Sequence, residues 1–410
     1  MALGLVLLAA APPQAVEASA LTTAETTAAE RLASNRRVFD IVWREVQRSY
    51  YDPNLHGVDW RAAREIWRPV ALAAPDDRQL YRAMNAMLDL LDDDHAGVAP
   101  AATVRRQASQ RQRRPVMGLT LFPEPDGAYR IERVREDSPA EKAGIAPGWR
   151  LETINGDRWG PERDLPEGAT VDLRLVDQAG VARDVSLRPR LMDPVPAFSA
   201  DRSRPGVVVL RVDAFEAGLG RWLGAQLASV TPDTDLVLDL RANPGGLLME
   251  ADAALSCFLP DRQVWATRTA RSGRSTTLRV RRGCGDLDAP VGNDLAVLVD
   301  GTSRSAAELT PAALQEAGRA VVIGETTAGA VLISQDTALP DGGRLTLSRA
   351  DFRTSGGVRL EKRGVVPDVV VATSAGEDGP GRDPVLEVAI AALVTDGPPA
   401  RAAATASPAF

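Results

Sequence analysis

Apolar residues at Val38, Ile41, Val42, Val46 and Tyr50 recur near helical spacing through "NRRVFDIVWREVQRSYYD" (35–52), which predicts an amphipathic helix. Asp52-Pro53-Asn54 ends it, because proline cannot continue a helix and the residue before it is pushed out of helical backbone. A second helix is predicted over "DDRQLYRAMNAMLDLL" (76–91), and residues 21–95 as a whole read as helical. From 115 to 190 the period changes. The short runs "MGLTLF", "YRIERV", "ATVDLRLV" and "ARDVSLRP" have β character and alternate with Gly and Pro turns. Among them lies "DSPAEKAGIAPGWRLETINGDRW" (137–159): a short helix at 139–143, a glycine turn, a strand and an Asn-Gly hairpin turn.

Residues 205–375 alternate strands with helices. "GVVVLRV" (206–212) is a continuous apolar run, as in a strand buried on both faces. A helix near 217–230, the strand "DLVLDL" (235–240), the loop "RANPGG" (241–246) and a helix near 248–257 follow. The strands "DLAVLVD" (294–300) and "GRAVVIGE" (318–325) complete an α/β layered core. With 410 residues the chain exceeds one ordinary core, so an α/β multidomain protein is expected. Its parts are an N-terminal helical region at 21–110, a β-rich domain at 111–192 and an α/β core at 193–394. The Ala/Pro-rich tail at 395–410 reads as disordered, and the basic run at 105–114 as a solvated linker.

A composition of 44% hydrophobic and 25% charged residues fits a soluble globular protein, and a net charge of −7 argues against nucleic acid as the main partner. Residues 3–10 form an apolar run too short to span a bilayer, so no stable membrane span is expected. The small-x-small pattern Ala18-Ser19-Ala20 follows it, so residues 1–20 read as a secretory signal that lacks a basic start. Export to the periplasm or the exterior is the expectation; a buried terminal helix or a disordered tail is the alternative. After export, a disulfide between Cys257 and Cys284 is chemically permitted; in a reducing compartment both are small buried hydrophobes. Two cysteines and two histidines without ligand spacing predict neither metal nor cofactor.

The candidate chemistry begins at "GTSRSAAEL" (301–309), where a strand passes through a small-residue turn into a helix. Such a turn presents a serine at a helix N-terminus, where backbone amides can stabilise an oxyanion. The competing account is structural: Ser305-Ala306-Ala307-Glu308 fits the capping box S-x-x-E. The adjacent glycines of "RANPGG" permit close backbone approach and could supply the facing amides, or could form a plain turn. Of the two histidines, His56 lies in a polar turn and reads as a surface residue. His95 follows three aspartates in "LLDDDHAGV", and a carboxylate beside an imidazole raises its basicity and fixes its tautomer; a helix C-cap is the alternative.

The order Met117-Gly118-Leu119, "SPAEKAGI", "GWRLETINGD" resembles a PDZ domain over about 75 residues. That resemblance implies binding of a chain terminus as an added strand, with the amides of Met117, Gly118 and Leu119 holding its carboxylate. Together with "MLDLLDDDHAG", "LVLDLRANPGGLL", "VLVDGTSRSAAEL", "GRAVVIGETTAGA" and "GVRLEKRGVVPDVVV", it makes most of residues 35–392 resemble the carboxy-terminal processing protease and tricorn family of serine peptidases.

The family resemblance implies a crotonase-like spiral core. It puts the nucleophile on Ser305, with Ser303 the second choice. The oxyanion amides fall on Ala306 and Gly245, with Gly246 a further candidate. The processing-protease branch carries its basic lysine in a Gly-Lys pair that here reads Gly329-Ala330. The tricorn branch uses a histidine supported by a glutamate, which match His95 and Glu361; Asp94, directly before His95, is a second candidate to orient the ring. The activity so implied is cleavage of proteins or peptides with exposed C-termini, with a homo-oligomer left open. A pseudoprotease that only binds C-termini, or a hydrolase of non-peptide esters, are the competing readings.

Overall fold

A computed structural model describes residues 13–394 except 111, 125, 160–166, 282 and 372–382. The apolar run at 3–10 and the tail at 395–410 lie outside the described residues. The chain divides into one unit of residues 1–101 with 196–410 and another of 102–195. The first unit opens with α1 (Pro13–Ser49), α2 (Trp60–Leu72) and α3 (Asp77–Leu88). Aspartates cap the two shorter helices: Asp59 accepts from the Arg61 and Ala62 amides, and Asp76 from the Gln79 amide. The apolar stripe expected at 38–50 is buried through Val38, Val42, Val46 and Tyr50. It packs with Leu332, Leu339, Leu345 and Leu347 of the later chain, so these helices share a core with it rather than forming a separate domain. The short strand β1 (Gly97–Ala99) follows.

The second unit holds α4 (Ala101–Gln110), β2 (Arg114–Val116), β3 (Leu119–Pro123), β4 (Tyr129–Val134), α5 (Pro139–Lys142), β5 (Arg150–Ile154), β6 (Val171–Val176), β7 (Ala182–Leu187) and β8 (Arg190–Met192). Much of the run expected as a linker is thus the end of α4, in keeping with the helix propensity of Ala, Arg and Gln. β3 to β7 form an antiparallel sheet in sequence order, over a core of Met117, Ile131, Leu151, Ile154, Leu173 and Leu175. Among the described residues β3 pairs with β4 alone, which leaves one of its edges open there. Gly118 has φ +91° and lies so close to Ser138 that an added Cβ would overlap the serine side chain.

The first unit resumes with β9 (Phe198–Asp201), β10 (Val207–Val212), α6 (Leu219–Leu227), β11 (Asp235–Asp239) and α7 (Leu248–Ser256). After these come β12 (Val264–Ala270), β13 (Ser275–Arg279), β14 (Leu295–Val299), α8 (Ala306–Glu316), β15 (Val321–Gly324), β16 (Ile333–Ala338), β17 (Arg344–Thr354), β18 (Val369–Val370) and α9 (Pro384–Val394). The strands expected from the apolar runs lie in one sheet of order β18-β15-β14-β11-β10-β9, parallel except for β9. β10 shows why its run is continuous: Val208, Leu210 and Val212 enter one core cluster, Val207 and Val209 another that α9 covers. A second, antiparallel sheet joins β1, β17, β12 and β13, with β16 on β17.

Cys257, just after α7, is bonded to Cys284 across a separation of 27 residues. Both are buried in the main core. Closing a loop of that size stabilises a fold by about 3 kcal/mol. The double variant Cys257→Ala/Cys284→Ala is therefore expected to lose about 2–4 kcal/mol in denaturant unfolding. An unchanged midpoint would show that the bridge contributes nothing.

Candidate active site

β11 and β14 are neighbouring parallel strands, so the loops that leave their C-terminal ends lie side by side. Asp300 ties the two together. Its Oδ2 accepts from the Ala242 amide at 2.9 Å, and its Oδ1 accepts from the Thr302 and Ser303 amides at 2.8 and 2.9 Å. Ser303 is fully buried; its Oγ donates to Leu240 O at 2.9 Å and accepts from the Asp300 amide at 3.0 Å. It is a structural knot with no free reach to a substrate. The Arg304 amide donates to Asn243 O at 2.9 Å.

Ser305 has φ 54° and ψ −116°, a backbone conformation that a side chain rarely adopts. It costs on the order of 1–3 kcal/mol, and it persists only where the surroundings over-determine it. Here they do. The Ser305 amide donates to Ala330 O and to Glu308 Oε2, each at 2.9 Å. Glu308 is fully buried and also accepts from Thr327 Oγ1 at 2.6 Å and from the Gly329 and Ala330 amides at 2.7 and 3.0 Å. Burial pushes its carboxyl up, against the pull of those donors. Gly245, at φ +93°, presses on the turn from the other side, where an added Cβ would lie 2.7 Å from Ser305 Cβ and 2.8 Å from Arg304 O. The capping box expected at this turn is present, with the Ser305 side chain facing the Glu308 amide and the Glu308 carboxylate accepting from the Ser305 amide. The Glu308 amide also donates to Ser305 O at 2.8 Å, so it does not depend on Oγ alone.

The amides named as oxyanion donors differ. That of Gly245 donates to Asn243 Oδ1 at 2.8 Å, whereas those of Ala306 and Gly246 take no partner among the described residues.

His95 follows a tight turn after α3. Asp92 there is left-handed at φ 48°, which turns Asp93 inward and Asp94 outward. The Asp93 side chain is fully buried, with Oδ1 accepting from the His95 amide at 2.8 Å and lying 3.9 Å from its Nδ1. His95 Nδ1 and Asp93 Oδ2 are both buried without a hydrogen-bond partner. Asp94, the sequence candidate for orienting the ring, instead meets Lys362 Nζ at 3.4 Å, and Asp92 meets the same nitrogen at 3.2 Å. Burial lowers the pKa of His95 below its ordinary 6.5; Arg304 and Lys362 add to this, while Asp93 and Asp94 oppose it. The imidazole lines a cavity of about 370 Å³ with Asp94, Pro244, Arg304 and Thr346. Pro244 and Arg304 directly precede Gly245 and Ser305, so the histidine and the serine turn face one space.

Glu361 is buried and accepts from the Val331 amide at 2.7 Å. Burial raises its pKa, the nearby Asp93 adds to this, and Lys362 and Arg359 oppose it. His56 is engaged elsewhere: its Nε2 meets Tyr51 Oη at 2.6 Å and its Nδ1 meets Leu91 O at 2.7 Å.

Residues 206–371 match the model of peptidase family S41, and residues 32–89 that of the tricorn protease C1 domain. A carboxyl-terminal-processing protease of Synechocystis is 28% identical over 347 residues, covering 80% of this chain and 79% of its own. Over residues 206–371 the chain is thus similar to peptidase family S41. A carboxy-terminal processing protease of Bacillus subtilis is 26% identical over 312 residues, 72% of this chain and 64% of its own. Among solved structures, a photosystem II D1 C-terminal processing protease matches with TM-score 0.53 at 24% identity, over 83% of this chain and 93% of its own. The tricorn protease matches with TM-score 0.56 at 17% identity, over 88% of this chain and 36% of its own. Those two likenesses concern the fold.

These matches make the chain a serine-type peptidase, a hydrolase. Where the family resemblance puts a lysine it carries Ala330, fully buried against Glu308. Lys362, the first lysine after it, is exposed and held by two aspartates.

Proposed function

We propose that the chain cleaves peptide bonds by acyl transfer, with Ser305 as nucleophile and His95 as general base. The observation that carries this reading is the strained Ser305 backbone, held by Glu308 and Gly245 beside a cavity that an imidazole lines. Ser305 Oγ attacks the carbonyl carbon while His95 takes its proton and returns it to the leaving amine. The Ala306 amide at the start of α8 is one oxyanion donor, and the Gly245-Gly246 segment supplies the other. Asp93, rather than Asp94, orients the ring: it is the buried carboxylate beside Nδ1, and each has an unmatched polar atom. Glu361, a buried carboxyl that feels the charge of Asp93, is a further support for the imidazolium.

Residues 111–192 act as a PDZ domain that recruits exposed C-termini. The open edge of β3, directly after Gly118, supports strand addition. The disulfide supports work in an oxidising compartment after export.

The pH profile on an unfolded protein substrate tests the base. His95 must be neutral to act, and its pKa is lowered, so kcat/KM should hold as pH falls through 6.5 and drop only below it. Asp93→Asn removes a group that raises the His95 pKa. It should lower kcat by about 10²–10⁴-fold and move the acidic limb further down. A limb that stays in place in Asp93→Asn contradicts this role.

A further inference from the structure

Most partly buried arginines of the first unit are held by a carboxylate. Arg241 is held by Asp239 and Asp383, Arg211 by Asp213 and Asp239, Arg349 by Glu45, and Arg359 by Asp351. The Arg304 guanidinium has neither an ion pair nor a hydrogen bond among the described residues, although it lines the cavity beside His95. Its backbone is fixed at both ends: the amide donates to Asn243 O at 2.9 Å, and the carbonyl accepts from the Ala307 amide at 3.0 Å. The side chain is thus carried by the same rigid turn as Ser305, one residue away. A planar guanidinium that gives up part of its hydration without a partner is prepared for a bidentate acceptor, and a carboxylate matches its fork. Asp94, the acid that lines the same cavity, is held by Lys362 at 3.4 Å.

We propose that Arg304 selects substrates by binding a carboxylate next to the scissile bond. The carboxylate is an Asp or Glu side chain or the α-carboxylate of a substrate that ends there. Neither the capping role nor the acyl-transfer chemistry asks for an arginine at this position. The proposal rests on the reading of Ser305 as nucleophile.

The test uses a peptide library with Asp, Glu, Asn or Gln at each position, with free and amidated C-termini, cleaved by the full chain and read by mass spectrometry. The wild type should prefer peptides with the carboxylate by about 10–100-fold in kcat/KM, mostly through KM. Arg304→Gln should bring the ratio of acidic to neutral peptides towards one, and Arg304→Lys should keep part of it. Loss of preference on Asp/Glu replacement assigns the side chain, and loss on amidation assigns the chain end; both support the proposal. Equal ratios in wild type and Arg304→Gln overturn it while leaving Ser305 untouched. Titration of the same peptides into Ser305→Ala and Ser305→Ala/Arg304→Gln repeats the comparison without turnover. A carboxylate preference there that persists without Arg304 also overturns the proposal. Cleavage that survives Ser305→Ala marks failure of the nucleophile reading instead.

Discussion

Ser305→Ala and His95→Ala are each expected to lower kcat/KM on an unfolded protein substrate by about 10⁴–10⁶-fold, because members of a catalytic unit fail together. Neither change should cost much stability. The Glu308 amide keeps Ser305 O as acceptor when Oγ is removed, and His95 lines a cavity with its Nδ1 unpaired among the described residues. Alanine at 305 keeps the strain, since any side chain at φ 54° meets it. Ser305→Gly relieves it and should raise stability by about 1 kcal/mol while abolishing turnover. That opposite movement of activity and stability is the mark of strain kept for function. A large fall in melting temperature in all three variants would mean that Ser305 is only a cap.

The second large effect is expected at Glu308, a residue buried behind the serine and out of reach of substrate. Glu308→Ala leaves Thr327 Oγ1 and the Gly329 and Ala330 amides without their buried acceptor and removes one of two acceptors for the Ser305 amide. Removing the acceptor from such a buried network costs about 3–5 kcal/mol, measured by denaturant unfolding. Activity should vanish as well, because the turn loses the contact that imposes its conformation. Glu308→Gln keeps an acceptor oxygen but turns an amide group towards N–H donors, so it should fall between the two. Wild-type stability in Glu308→Ala would mean that this carboxylate does not hold the strained turn.

The parallel sheet was legible because strands buried on both faces read as unbroken apolar runs, and "RANPGG" and "GTSRS" were placed correctly at the ends of its neighbouring strands. The hairpins β12–β13 and β16–β17 carry no such signal. β12, β13 and β16 mix exposed and partly buried positions without a clean alternation, and the alternation of β17 is broken at Ser348, so no single period stands out. Three consecutive aspartates gave no sign of which one meets the imidazole; that depends on the left-handed turn at Asp92, a backbone detail that residue type does not fix. Glu361 could be read as a strand charge or as a site residue, and only burial separates the two. Arg304 gave no signal at all, since an unpaired arginine is defined by what fails to surround it. In sequence Glu308 is half of a cap, and its hold on the Ala330 loop is a contact between distant segments.

The measurement that tests the central claim most directly is fluorophosphonate labelling of the purified full chain, with the modified residue mapped by mass spectrometry. The expected result is a label on Ser305 without any lysine at position 330, and its loss in His95→Ala. A label on another serine, a label on Ser305 that is indifferent to His95→Ala, or no label in the presence of an unfolded protein or a C-terminal peptide would contradict the assignment of Ser305 and His95 as nucleophile and base.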